Sequence, residues 1–146
     1  DIATAMLDIL SAVLPDMHDE LINIRYKNVS HTVQEYILIV LAQAEQSKYM
    51  QFLLDQYFHD YTKRPIIRAT AFKHHHIMFL NLARYIESVK ITAEIVEVTQ
   101  QILGFIPKEH VIPHLGIFAG TKLLDIYYAM ERNGWGRTTR HSESSP

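Results

Sequence analysis

Thr32-Val33-Gln34-Glu35-Tyr36-Ile37-Leu38-Ile39-Val40-Leu41-Ala42-Gln43-Ala44-Glu45-Gln46 is the stretch on which the fold turns. Tyr36 to Leu41 is apolar on every side, and a run this short, rich in Ile and Val, also suits a buried strand. Two flanking signals point to a helix instead. Thr32 followed by Glu35 reads as a capping box, in which each side chain satisfies a backbone N–H at the helix start. Ala42 to Gln46 is built of residues that cost little in a helix. A helix apolar all round has to be covered on all sides, so this segment is expected at the centre of a bundle.

Upstream, Ile2, Met6, Ile9 and Val13 recur at helical spacing until Pro15 closes the segment. Asp16 then reads as the cap of a second helix, with Asp19 and Glu20 in its first turn and Arg25 and Lys27 in its last, matching the macrodipole at both ends. Met17, Leu21 and Ile24 form its apolar stripe.

Downstream, Met50, Leu54, Tyr57 and Tyr61 carry a stripe to Thr62, either on one long helix or after a break near Ser47. Pro65 suits the first turn of a helix that runs to Val89, where its missing N–H costs nothing. Two adjacent stripes, one through Phe72, His76, Phe79 and Ile86 and the other through His75, Met78, Leu82 and Tyr85, predict burial on more than one side. Thr92 caps the next helix, with Ile91 and Val96 as a hydrophobic staple, and Gly104 ends it. Residues 106–114 read as a connector and residues 115–132 as the last helix. Asn133, Gly134 and Gly136 stop that helix. The expected fold is all-α: a single-domain bundle of about six helices over residues 1–132, with a flexible C-terminal tail over 133–146.

Composition narrows the function. A chain of 146 residues suits one domain, and an apolar share of 48% with 21% charged residues argues against general disorder. The formal charge of −2, with basic residues read as scattered (Arg25, Lys48, Arg68, Arg84, Lys108, Lys122), offers no broad field for a polyanion or an anionic membrane, so no nucleic-acid partner is expected. The absence of cysteine excludes disulfides, thiolate nucleophiles and Cys-ligated zinc, and agrees with a cytoplasmic location. The run Tyr36 to Ala42 falls far short of the roughly 20 residues a membrane span needs. The chain opens at Asp1 rather than Met, as a processed protein or a piece of a longer one would.

Several groups could carry function. Tyr49, Phe52, Tyr57, Phe58 and Tyr61 crowd one segment and cannot share one helix face, so some are expected at the surface as anchors of a protein interface. Trp135, between two glycines and close to Arg137 and Arg140, is a second anchor. Phe72, His75, His76, Met78 and Phe79 could wall a small-molecule pocket. His74-His75-His76 cannot chelate one ion, since consecutive helical residues point about 100° apart. Burial of His75 or His76 in the core is expected, with a pH switch as the functional alternative. Asp55 with His59, and His110 with His114, have four-residue spacing and could together hold a divalent metal if they converged. Gly116 and Gly120 read as a close-packing stripe continued by Leu123, Tyr127 and Met130.

No Gly-x-Ser-x-Gly elbow, phosphate loop or cofactor motif is present, so neither enzyme activity nor a cofactor is expected. The expected function is a non-enzymatic protein–protein interaction module, an adaptor, regulatory subunit or assembly factor, that binds another protein, itself as a homodimer, or both. The alternatives are a helical small-molecule sensor domain of a regulator and a His/Asp metal-dependent enzyme.

Overall fold

The computed structural model describes residue 22 and residues 25–134. The first expected helix, most of the second, the Trp135 anchor and most of the tail lie outside the described residues; the expected last turn of the second, with Lys27, is a 3-10 turn at Tyr26–Asn28. Within the described residues every regular element is helical: α1 (His31–Ala44), α2 (Ser47–His59), α3 (Arg64–Thr70), α4 (His75–Ser88), α5 (Ala93–Gly104), α6 (Lys108–Val111), α7 (Leu115–Phe118) and α8 (Lys122–Arg132), with short 3-10 turns between. The all-α class is therefore as expected. The chain gathers into two compact units, residues 1–77 and 78–146, and the boundary falls inside α4.

In the first unit the ambiguous run is a helix, and its all-round apolarity is satisfied by cover. Ile37, Leu38, Val40, Leu41 and Ala42 are all buried, and α1 packs against both α2 and α3. The cap differs from expectation. Ser30, not Thr32, has extended backbone and accepts the Val33 N–H at 3.4 Å. Thr32 is already inside the helix, and Glu35 is taken by His31 at 3.2 Å, so no capping box forms. Glu45 ends α1 in the left-handed region, at φ 52°, which sets the break from α2 just ahead of Ser47. α2 buries Tyr49, Met50, Leu53, Leu54, Tyr57 and Phe58.

The single helix expected from Pro65 to Val89 is interrupted. α3 starts at Arg64 with proline in its first turn, as read, but stops at Thr70, and a 3-10 turn at Ala71–Lys73 leads through His74 into α4. Thr70 turns its hydroxyl back onto the Ile66 carbonyl at 2.7 Å, and its backbone leaves helical geometry at φ −118°. The break lets Ala71 and Phe72 turn into the unit's core.

In the second unit Met78, Phe79, Leu82 and Ile86 of α4, Val98, Ile102 and Leu103 of α5, and Leu123, Ile126, Tyr127 and Met130 of α8 are buried. α5 packs on α8. Phe118 is the hinge of an aromatic chain, meeting the Phe79 ring at 5.4 Å and the Tyr127 ring at 6.0 Å, both edge-on. Thr92 caps α5 by accepting the Ile95 N–H at 3.2 Å, and Gly104 is its last residue, both as read. The expected last helix is two pieces. α7 ends at Phe118, Gly120 sits in the turn at φ +76°, and α8 begins at Lys122. The glycine stripe is therefore corrected: both glycines are exposed, and a Cβ at either would meet nothing within 4 Å.

Candidate interaction surfaces and the Lys63 network

The aromatic segment that was expected to supply surface anchors is mostly core. Tyr49 is 2% exposed, Tyr57 0% and Phe58 5%, because α2 is enclosed by its neighbours on more than one side. Phe52 is half-buried and packs edge-on against Tyr26 at 5.1 Å. Tyr61 alone of this set projects into solvent, at 76% exposure, from the 3-10 turn after α2.

The pocket residues divide between the two units. Phe72 lies 5.0 Å from the Tyr57 ring in the first, while Phe79 packs against Phe118 and His114 in the second. The histidine run does not lie along one helix: His74 is in the break, with its Nδ1 3.4 Å from Glu45 Oε1, and the helix begins at His75. His75 is half-buried and His76 exposed, so the break removes the burial expected of them.

The metal-spacing pairs are local. His59 Nδ1–H donates to the Asp55 carbonyl at 2.9 Å, with the Asp55 carboxylate at 3.3 Å, on an exposed helix face. His110 is exposed, and His114 packs against Phe79 with the rings tilted and their centroids 5.5 Å apart. Among the described residues no three His, Cys, Asp or Glu side chains gather to hold a metal ion. No described helix is long and apolar enough to cross a membrane.

A polar network that spacing did not reveal sits in the first unit. Lys63 is only 2% exposed, yet carries an ammonium group. Its Nζ donates to His31 Nδ1 at 2.9 Å and to Asp60 Oδ2 at 3.3 Å. Because lysine only donates, His31 Nδ1 is bare, and the imidazole proton sits on Nε2, facing Glu35 at 3.2 Å. Asp60 also accepts the Thr62 hydroxyl at 2.5 Å and the Thr62 N–H at 3.0 Å. These Thr62 bonds, with smaller help from Lys63, hold its carboxyl below the usual range against the opposing effect of burial. Tyr26 lies close enough to feel Asp60 and Glu35. Burial first, then those two charges, push its hydroxyl up to about 12. The network ties the start of α1 to the turn after α2. In sequence Lys63 and His31 are 32 residues apart, so only the fold pairs them.

In the second unit three large apolar side chains are about half exposed: Phe105 at 52%, Ile112 at 52% and Tyr128 at 51%. An ion pair joins the chain between the first two to the helix that carries the third. Lys108 reaches both oxygens of Glu131, at 3.1 and 3.3 Å. Tyr128 lies one helical turn before Glu131 on α8, and Ile112 lies four residues after Lys108. The bridge thus pins the Phe105–Ile112 segment to the face of α8 that presents Tyr128. A sequence reading that looked for aromatic density passed over these residues, because they are isolated in the chain. Comparison with protein-family models, with curated proteins and with solved structures finds no match for this chain.

Proposed function

We propose that this protein is a non-enzymatic protein–protein interaction module, an adaptor, regulatory subunit or assembly factor, that also pairs with itself. The observation that supports this reading is the exposure of three large apolar side chains in the second unit, Phe105, Ile112 and Tyr128, where Lys108 also pairs with Glu131. Exposed aromatic and aliphatic anchors match the pattern of interface hot spots, where a few central side chains carry most of the binding energy. Three half-exposed side chains cover well under the roughly 800 Å² per partner of a stable interface, so they act as its centre and neighbouring polar residues supply the rim.

Sedimentation equilibrium of the full chain, beside variants Tyr128→Asp and Phe105→Asp, tests this. A dimer, or a complex with a co-purifying protein, that each variant weakens at least about tenfold supports the reading, about 1.4 kcal/mol per anchor. A wild-type chain that stays monomeric and partner-free at about 200 μM, well above a typical micromolar dissociation constant, would overturn it. So would a complex indifferent to both variants.

A further inference from the structure

Four asparagines occur in the chain, and the residue after each decides what its side chain can do. Asparagine is chemically labile when the next backbone nitrogen reaches its carboxamide carbon. Asn23, Asn28 and Asn81 precede Ile24, Val29 and Leu82, whose side chains shield that nitrogen. Asn133 precedes Gly134, which has no side chain to obstruct the approach.

The fold separates these residues further. Asn81 is 0% exposed inside α4, whereas Asn28 and Asn133 are both exposed. Asn133 is the residue just past α8, and its N–H donates to the Ala129 and Met130 carbonyls, each at 3.1 Å. Its backbone is thus anchored, while no described residue holds its carboxamide. Gly134 turns the chain at φ +81°, and its N–H donates to the Glu131 carbonyl at 3.2 Å. With Asn133 at ψ 12°, that nitrogen is directed along the helix and away from the neighbouring side chain. Attack on the carboxamide therefore needs Asn133 to leave this conformation, which breaks the bond to Glu131. Helix ends open at a small cost in free energy, so the break is a gate rather than a block.

We propose that Asn133–Gly134 is a spontaneous deamidation site whose rate is set by the opening of the last turn of α8. The Gly134 nitrogen bonds to Asn133 Cγ and closes a succinimide. The Cγ–Nδ2 bond breaks, and the amide nitrogen leaves as ammonia with the proton that Gly134 gave up. Water then opens the ring. Addition at Cγ yields aspartate, and addition at the backbone carbonyl yields isoaspartate, with the main chain rerouted through the side chain. Both products put a carboxylate at the C-terminal end of α8, two residues after Glu131 and against the negative end of the helix macrodipole. Isoaspartate also inserts a methylene ahead of residues 134–146. The change is irreversible and alters the end of the helix that carries Tyr128. It rests on the chemistry of this turn and not on the interaction reading above.

The test is incubation of the full chain at mildly alkaline pH, with peptide mapping by mass spectrometry and enzymatic methylation of isoaspartate as readouts. A free peptide of residues 128–138 supplies the ungated rate. Acid should accumulate at Asn133 in the folded chain, more slowly than in the peptide, while Asn28 and Asn81 stay intact in the same samples. Ala129→Gly loosens the last turn without touching the reacting pair, and should raise the rate about two- to fivefold. Hydrogen exchange of the Gly134 amide should rise by the same factor, since both report one opening. An Asn133 that stays intact after the peptide has converted would overturn the proposal. So would conversion at the peptide's rate, a rate indifferent to Ala129→Gly, or an equal rate at Asn28, which would mean that exposure alone decides.

Discussion

Removing either partner of the Lys63–Asp60 contact deletes the same 3.3 Å interaction, yet the two deletions should differ widely in cost. The reason is where each charge sits. The Lys63 side chain is 2% exposed and that of Asp60 is 34% exposed. Asp60→Ala strands a buried ammonium with only the His31 nitrogen, and breaking a buried pair in this way costs about 3–5 kcal/mol when the remaining charge is fully enclosed. His31 keeps one bond and Asp60 is partly solvated, so about 2–3 kcal/mol is the expected loss, including the Thr62 bonds. Lys63→Met removes the buried charge, fills the volume of its stem, and leaves Asp60 in reach of water and still held by Thr62. Its cost should stay within about 1 kcal/mol.

Urea unfolding followed by circular dichroism, with the slope unchanged between variants, measures both. Acid supplies a further check with a fixed sign. The Asp60 carboxyl is depressed below 3.8 in the folded chain, so its contribution is fully present above that value and fades as pH falls through the lower folded value. The gap between wild type and Asp60→Ala should therefore be constant from neutral pH down to about 5 and narrow below about 4. A Lys63→Met variant as damaged as Asp60→Ala would refute the reasoning, because the burial asymmetry would then decide nothing.

Three further outcomes follow from geometry. Gly120→Ala should lose about 1 kcal/mol by chemical denaturation because its φ is +76°, whereas Gly116→Ala, in α7 with open space at its Cβ, should be neutral or gain up to about 1 kcal/mol. Ser30→Ala should cost about 1 kcal/mol and Thr32→Ala under about 0.5 kcal/mol, a ranking that would reverse if Thr32 were the cap of α1. Phe118→Ala, which empties the centre of the Phe79–Phe118–Tyr127 chain, should cost about 3–5 kcal/mol in thermal or urea unfolding.

Local signals were legible where they depend on a few adjacent residues. Thr92 and Gly104 bound α5 as read, since a cap and a terminal glycine are satisfied by backbone within one turn. Where two local signals competed, the reading erred. Thr32 and Ser30 are both competent caps, and the extended backbone at Ser30 decided between them. The apolar stripes from Pro65 to Val89 ran on across a break, because stripe spacing records which residues are buried and not whether the backbone stays continuous. Gly116 and Gly120 failed for a similar reason, as small residues serve a turn as readily as a tight seam.

The candidate sites were the least legible. Tyr49, Tyr57 and Phe58 read as surface anchors and are core, because a side chain suited to an interface is equally suited to an interior. The Lys63 network had no counterpart in spacing, since it joins residues from different elements.

The sequence by itself determined that this chain is helical, roughly where its helices lie, and that cysteine chemistry is closed to it. Those properties follow from periodicity and composition, which act over one or two turns. Only the tertiary structure decided which aromatics face water and that Lys63 is enclosed with His31 and Asp60. Burial and pairing between distant elements depend on which helices pack together, and equal stripes are compatible with more than one packing.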